Sequence, residues 1–150
     1  MNIRQRLLGF RPPRIGMSLV AVAAVLHLAA PVALLPPQWI AAVLLGLAGF
    51  AIMLRAWWLF RVVATPICPT ANATALITHD VYAFTRNPMY LGMLAMLLTV
   101  ALFAGSAGFY AAAFAYFLIL NFVFCPFEED RLRTAFAGYA DYQSNVRRWI

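Results

Sequence analysis

The chain has 150 residues, of which 65% are apolar and only 11% are charged, and its formal net charge is +6. Soluble domains average about 45–50% apolar and about 25% charged residues, so the composition excludes an ordinary soluble domain and predicts a single all-α integral membrane domain. All 11 basic residues are arginines that flank apolar runs, which indicates contact with anionic headgroups and not with nucleic acid.

The first candidate membrane helix covers residues 15–35, a run without Asp, Glu or Arg. About 20 apolar residues span the hydrocarbon of a bilayer. A signal peptide is the competing interpretation because arginines precede the run, but its apolar part would have only about 7–15 residues. His27 lies inside the run. We expect it to be a packed histidine, with a functional ionisable group in the membrane as the alternative.

Three further membrane helices are predicted at residues 39–63, 88–104 and 109–125. A polar cytoplasmic loop, residues 64–87, follows the second helix, and a short Gly-Ser-Ala-Gly turn joins the third and fourth. We expect the fourth helix to end at Pro126. Arg55, near the end of the second helix, either extends to the headgroups or faces a polar site.

The tail, residues 128–146, has apolar residues at helical spacing, which predicts an amphipathic helix on the membrane surface. The arginines lie in the N-terminal lead, around the second connection and in the tail. The positive-inside rule therefore predicts four spans with both termini cytoplasmic, in the inner membrane if the source is bacterial. Cys68 and Cys125 lack metal-ligand spacing, so we expect no metal site and no disulfide.

Two polar clusters stand at the ends of the predicted third and fourth helices. Arg86-Asn87-Pro88-Met89-Tyr90 precedes the third helix, and Glu128-Glu129-Asp130 follows the fourth. A tight hairpin would bring both clusters to the same membrane face. Each cluster alone also has a purely structural explanation. Asn87 and Pro88 suit the start of a helix, and the acidic residues would complement a helix dipole.

The ordered combination of these clusters with Gly138, Tyr139, Tyr142 and the final Val-Arg-Arg-Trp resembles one group of enzymes. These are the integral-membrane methyltransferases of the isoprenylcysteine carboxyl methyltransferase and phospholipid N-methyltransferase superfamily. The resemblance covers residues 74–150 and implies S-adenosylmethionine as cofactor and a lipophilic acceptor such as a phospholipid amine. By position it implies cofactor binding by Thr74, Ala75, Leu76, Ile77, Tyr82, Asn87, Pro88, Tyr90 and Glu128. Candidate catalytic residues are Arg86, Tyr90 and Glu129, with Glu129 as a proton acceptor.

Two positions depart from the carboxyl methyltransferase subgroup. That subgroup has His where this chain has Asn87, and a carboxylate-binding Arg where this chain has Phe124. The sequence therefore favours the phospholipid form. The alternatives are methyl transfer to a small thiol or amine, methyl transfer to a prenylcysteine carboxylate, and a non-catalytic four-helix membrane protein or small transporter.

Overall fold

The computed structural model describes residues 7–66 and 73–150. Its helices are α1 (Pro12–Ala29), α2 (Trp39–Val62), α3 (Pro88–Ala104), α4 (Ala107–Ile119), α5 (Cys125–Ala135) and α6 (Tyr139–Asn145). A 3₁₀ turn at Asp80–Ala83 precedes α3, and a π-helical turn at Leu120–Phe124 joins α4 to α5. The described residues thus form an all-α fold that contains no strand, as the composition predicts.

Three helices of the described part are long and apolar enough to cross a membrane. They are Pro12–Ala29, Trp39–Val62 and the continuous helix Ala107–Ala135, while Pro88–Ala104 is apolar but shorter. Large apolar side chains on these helices face outwards: Leu28 is 84% exposed and Ile40 is 80% exposed. Such extensive outward apolar surface suits lipid and not water, so the chain is a multi-pass membrane protein.

The first helix lies earlier in the chain than expected. It was predicted at residues 15–35, but it begins at Pro12 and ends at Ala29. A proline at residue 31 disfavours helical backbone at the residue before it. The following segment instead turns back onto the α3–α4 turn, where the backbone N–H groups of Leu34 and Leu35 donate to the carbonyl of Gly105 at 2.8 and 3.2 Å. The start of α2 and the end of α3 therefore lie at the same end of the helical bundle.

Helices α2 and α3 pack through glycines. A Cβ atom at Gly49 would lie 2.6 Å from the Cβ of Ala95, and one at Gly92 would lie 2.7 Å from the backbone oxygen of Gly49. Small residues allow two membrane helices to approach closely. Gly92, which belongs to the motif at the start of α3, therefore has a packing role.

The end of the fourth span differs most from expectation. Pro126 does not end the helix, which runs on from Ala107 to Ala135. Proline removes one helical hydrogen bond and clashes with the preceding turn, and the π-helical turn just before Pro126 makes room for it. The predicted surface helix at residues 128–146 was also wrong as one element, because Phe136 adopts extended backbone between α5 and α6.

A tightly packed core joins the ends of α3, α4 and α5. It contains Tyr90, Tyr116, Leu120, Phe124 and Cys125, all at most 6% exposed. Cys125 is a free buried thiol, whereas Cys68 lies outside the described residues. The core fixes the start of α3 against the start of α5, which is where the polar clusters lie.

Candidate functional site

The two polar clusters meet directly at one end of the helical bundle. The Tyr90 hydroxyl, in the first turn of α3, donates a hydrogen bond to Oε1 of Glu128 in α5. Beside this pair is a cavity of about 410 Å³, within the roughly 300–1,000 Å³ of ligand sites in proteins. Five of the predicted site residues line it: Tyr82, Arg86, Asn87, Tyr90 and Glu128.

The adjacent carboxylate, Glu129, is held by two arginines. Nε and Nη2 of Arg148 lie 2.8 and 2.6 Å from its two oxygens, and Nη2 of Arg86 lies 3.3 Å from Oε1. The Glu129 side chain is only 7% exposed, and the pairing raises the pKa of Arg148. Because both oxygens of Glu129 are paired with guanidinium groups, the geometry suits a counter-ion better than the expected proton acceptor.

The C-terminal segment is hydrogen-bonded to the loop before α3. The backbone carbonyl of Arg148 accepts hydrogen bonds from Oγ1 of Thr85 at 3.0 Å and from Nδ2 of Asn87 at 3.1 Å. The backbone N–H of Arg86 donates to the carbonyl of Arg147 at 3.0 Å. Asn87 occupies the N-cap position of α3, but its side chain makes no capping hydrogen bond. It binds the C-terminal segment instead of the helix.

The tail also satisfies a polar residue in the long helix Ala107–Ala135. Nη1 of Arg148 donates to Oδ1 of Asn121 at 3.2 Å, and the indole N–H of Trp149 donates to the same oxygen at 3.0 Å. Asn121 lies in the π-helical turn. Its polar group therefore has a structural use, which removes one of the intramembrane groups that a transporter would need.

Arg86, which lines the cavity, has two buried nitrogen atoms without a hydrogen-bond partner in the described part of the chain. Its side chain is 10% exposed, yet its Nε and Nη1 atoms have no hydrogen-bond partner among the described residues. Buried donors without partners are costly. The first N–H groups of α3 also lack partners inside the helix, and Met89 and Tyr90, which carry them, line the cavity. This corner is suited to an anionic group.

The opposite wall of the cavity is aromatic and apolar. The rings of Phe60 and Tyr82 meet edge to face with centroids 6.0 Å apart. Burial raises the pKa of the Tyr82 phenol far above its ordinary value, and the Glu128 carboxylate raises it further. Tyr82 therefore stays neutral at physiological pH, so it can donate a hydrogen bond to a ligand.

The remaining predicted residues lie around the cavity without lining it. Thr74 donates its backbone N–H to Oγ1 of Thr65 at 3.1 Å, and Ile77 packs in a buried cluster with Tyr82. Pro88 is fully buried as the first residue of α3. Ala75, Leu76 and Glu129 are likewise absent from the lining. Of these residues, Ile77 and Glu129 contact lining residues, Tyr82 and Arg86 respectively.

Sequence reasoning missed seven lining residues. They are Arg11, Pro12, Pro13, Phe60, Met89, Met93 and Leu132. Arg11 belongs to the basic lead, which sequence alone could interpret only as a membrane flank. Met89 and Met93 lie one turn apart on α3, so helical spacing from Tyr90 could have indicated their common face.

The simpler, structural explanations fail for the acidic cluster but hold for Arg55 and His27. The acidic cluster lies inside the continuous helix Ala107–Ala135, away from its first and last turns, so stabilisation by a helix dipole does not account for it. Arg55 does not line the cavity but hydrogen-bonds Asp80 at 2.9 Å through Nε. That bond lowers the pKa of Asp80. His27 packs near the ring of Phe109 at 5.9 Å, as expected for a packed histidine.

These features define a helical membrane protein with a polar, ligand-sized cavity at the end of its spans. A family model described as phospholipid methyltransferase matches residues 37–138, which include α2, α3, α4 and α5. The chain belongs to the phospholipid methyltransferase family, and the resemblance seen in its motifs is confirmed. No curated protein and no solved structure matches it.

Proposed function

We propose that the protein transfers a methyl group from S-adenosylmethionine to a lipophilic acceptor, such as a phospholipid amine, at the cytoplasmic membrane face. The observation that carries the proposal is the cavity in which Arg86 and the Tyr90–Glu128 pair converge at the ends of membrane helices. Four spans and cytoplasmic termini belong to the proposal, with Pro88–Ala104 as the short third span.

The polar groups of the cavity fit the amino-acid end of this cofactor. Arg86 lines the cavity, and its guanidinium group would bind the cofactor carboxylate, because a guanidinium recognises carboxylates with two parallel hydrogen bonds. Glu128, oriented by the Tyr90 hydroxyl, would accept from its ammonium or ribose hydroxyl groups. Asn87 and Tyr82 complete the polar lining.

The apolar wall fits the adenine. Phe60, Tyr82 and Met89 all line this cavity. Their two flat aromatic rings and one flexible thioether side chain would pack against the adenine. Ile77, the last residue of the segment of Thr74, Ala75, Leu76 and Ile77, lies in the same buried cluster as Tyr82. Its part in the proposal is to position Tyr82, and Pro88 similarly fixes the first turn of α3.

The bound cofactor supplies an electrophilic sulfonium methyl group, so the protein needs little covalent chemistry. Its residues align the acceptor with the methyl group and exclude water. Tyr90 keeps Glu128 in place. Arg148 and Arg86 neutralise Glu129, so Glu129 anchors Arg86, and the proton acceptor for an amine is left unassigned.

The two alternative acceptors differ in what they require. A prenylcysteine carboxylate needs a positive partner near position 124, but Phe124 is 1% exposed and packs edge to face against the Tyr90 ring. The match to the phospholipid methyltransferase family favours an acceptor amine on a lipid headgroup over a small thiol or amine.

A methyl-transfer assay tests the proposal. Purified protein is incubated with S-adenosylmethionine labelled in its methyl group and with phosphatidylethanolamine, a farnesylcysteine analogue or a small thiol. We expect label in the phospholipid and a loss of about tenfold or more in Tyr90→Phe, which removes a charge-assisted hydrogen bond. The matched control is Tyr110→Phe, whose hydroxyl is buried without a partner. Label in none of the acceptors would contradict the proposal.

A further inference from the structure

A second cavity of about 420 Å³ lies beside the first, and Pro13 and Met93 line both. Its lining is apolar. The Tyr116 hydroxyl is the polar group at its wall, and it donates to the backbone carbonyl of Pro12 at 3.1 Å. Side chains from three helices form its sides: Met17, Val20 and Ala21 from α1, Met53 from α2, and Met96 and Leu97 from α3. We call this second cavity the apolar groove.

The apolar groove follows the membrane direction. Between Pro13 and Ala21 it runs roughly 12 Å along α1 at about 1.5 Å per residue, close to the roughly 15 Å of one hydrocarbon leaflet. It is open towards lipid, because Met17 is 72% exposed and Met96 is 37% exposed. Helix α1 packs on α4 through Ala23, Phe109 and Ala112 and leaves the groove between itself and α3.

We propose that the apolar groove binds one alkyl chain of a membrane-lipid acceptor while the reactive headgroup occupies the polar cavity. The inference rests on the proposed methyl transfer and deepens it by locating the acceptor. Because Pro13 and Met93 line both cavities, the two cavities are direct neighbours, and a ligand with a polar head and a long chain would extend from one into the other past these two side chains. Methionine side chains are flexible and polarisable, so they adapt to chains of differing length and saturation.

The α1 wall of the apolar groove lies outside the family match. That match begins at residue 37, whereas α1 is Pro12–Ala29 and contributes Pro13, Gly16, Met17, Val20 and Ala21. The groove would therefore be shared between α1 and the methyltransferase core, which contributes Met53, Met93, Met96, Leu97 and Tyr116.

Photochemical labelling tests the apolar groove without methyl transfer. Wild-type protein is reconstituted in phosphatidylcholine vesicles with a trace of phosphatidylethanolamine that carries a diazirine in the headgroup-proximal half of one chain. We expect mass spectrometry to find the label concentrated on Met17, Met53 and Met96. Labelling spread in proportion to exposure, with Leu28 and Ile40 at 84% and 80% exposed as the strongest sites, would overturn the proposal.

A matched pair of variants adds a functional readout. Ala21→Trp fills the apolar groove, while Ala29→Trp places the same side chain on an exposed position of α1 that does not line it. We expect Ala21→Trp to abolish the focused labelling. It should also raise KM for dipalmitoyl phosphatidylethanolamine about tenfold or more, because excluding even two methylene groups of the chain from the groove loses enough burial free energy for such a change in affinity. KM for the dihexanoyl lipid and the affinity for S-adenosylmethionine should stay within about twofold in both variants.

The outcomes separate the two proposals. If wild-type protein does not bind S-adenosylmethionine, the proposed function fails and the labelling pattern alone decides whether the apolar groove holds a chain. If the cofactor binds and lipid is methylated but both tryptophan variants behave alike, the groove proposal is overturned and the proposed function stands.

Discussion

Arg148 and Glu129 form a two-point ion pair that joins the C-terminal segment to α5, with nitrogen–oxygen distances of 2.8 and 2.6 Å. The same Arg148 holds the loop before α3 through its backbone carbonyl, which accepts from Thr85 and Asn87. One residue near the end of the chain thus ties together the two elements that carry Arg86 and Glu128.

Replacing Arg148 should therefore damage both stability and the cavity. Removing one partner of a buried pair costs about 3–5 kcal/mol, and we expect Arg148→Gln to fall at the low end because Arg86 stays near Glu129. Cofactor affinity should fall as well, since the loop carrying Arg86 loosens. The measurements are unfolding in detergent and calorimetric binding of S-adenosylmethionine.

The neighbouring arginine is the control for that change. Arg147 is exposed and serves the fold through its backbone carbonyl, which a side-chain substitution preserves. Arg147→Gln should alter stability by no more than about 0.5 kcal/mol. If the two variants lose the same small amount of stability, Arg148 does not anchor the site.

Gly92 should be intolerant of even a methyl group. In Gly92→Ala the new Cβ would meet the Gly49 backbone oxygen at 2.7 Å and the Met53 Cβ at 2.8 Å. Overpacking of this kind costs about 1–3 kcal/mol and would move the start of α3. Gly138→Ala is the control because its Cβ would meet nothing within 4 Å. If the two variants have the same free energy of unfolding, α2 and α3 can move apart without loss of stability, which would contradict this prediction.

The topology is testable by labelling single cysteines in a background that lacks Cys68 and Cys125. Arginine asymmetry predicts that an exposed cysteine at Gln38 is labelled from outside and one at Ser144 from inside. Ser106, expected beside Gln38, is only 2% exposed and would report poorly, while Thr70 lies outside the described residues. Labelling of Gln38 and Ser144 from the same side would exclude the orientation.

The core of the site was predictable because it depends on local sequence. Helices α3 and α4 are joined by a turn in which Gly105 adopts a positive φ of 62°. A hairpin of two apolar helices necessarily returns the chain to the same membrane face. The contact between Tyr90 and Glu128 follows from that constraint together with the motif order.

The rest of the site depends on contacts between distant parts of the chain, which no local pattern encodes. Arg11 lines the cavity because α1 packs on α4, through contacts such as the hydrogen bond from the Tyr116 hydroxyl to the Pro12 carbonyl. The role of Arg148 depends on a partner 19 residues away. The continuation of the helix past Pro126 depends on a π-helical turn that the local preferences of proline do not indicate.

The most direct test is the affinity of two variants for S-adenosylmethionine, measured by calorimetry in detergent. Glu128→Gln keeps the side-chain shape but removes the charge that would face the cofactor, and a hydrogen bond to a charged group contributes roughly 1.5–3 kcal/mol. Asp130→Asn is the matched control, because Asp130 has a side chain 66% exposed and pairs with Arg133 at 3.0 Å. We predict a roughly ten- to hundredfold loss of affinity in Glu128→Gln and unchanged affinity in Asp130→Asn. Equal, small effects in the two variants would contradict a cofactor site at Glu128.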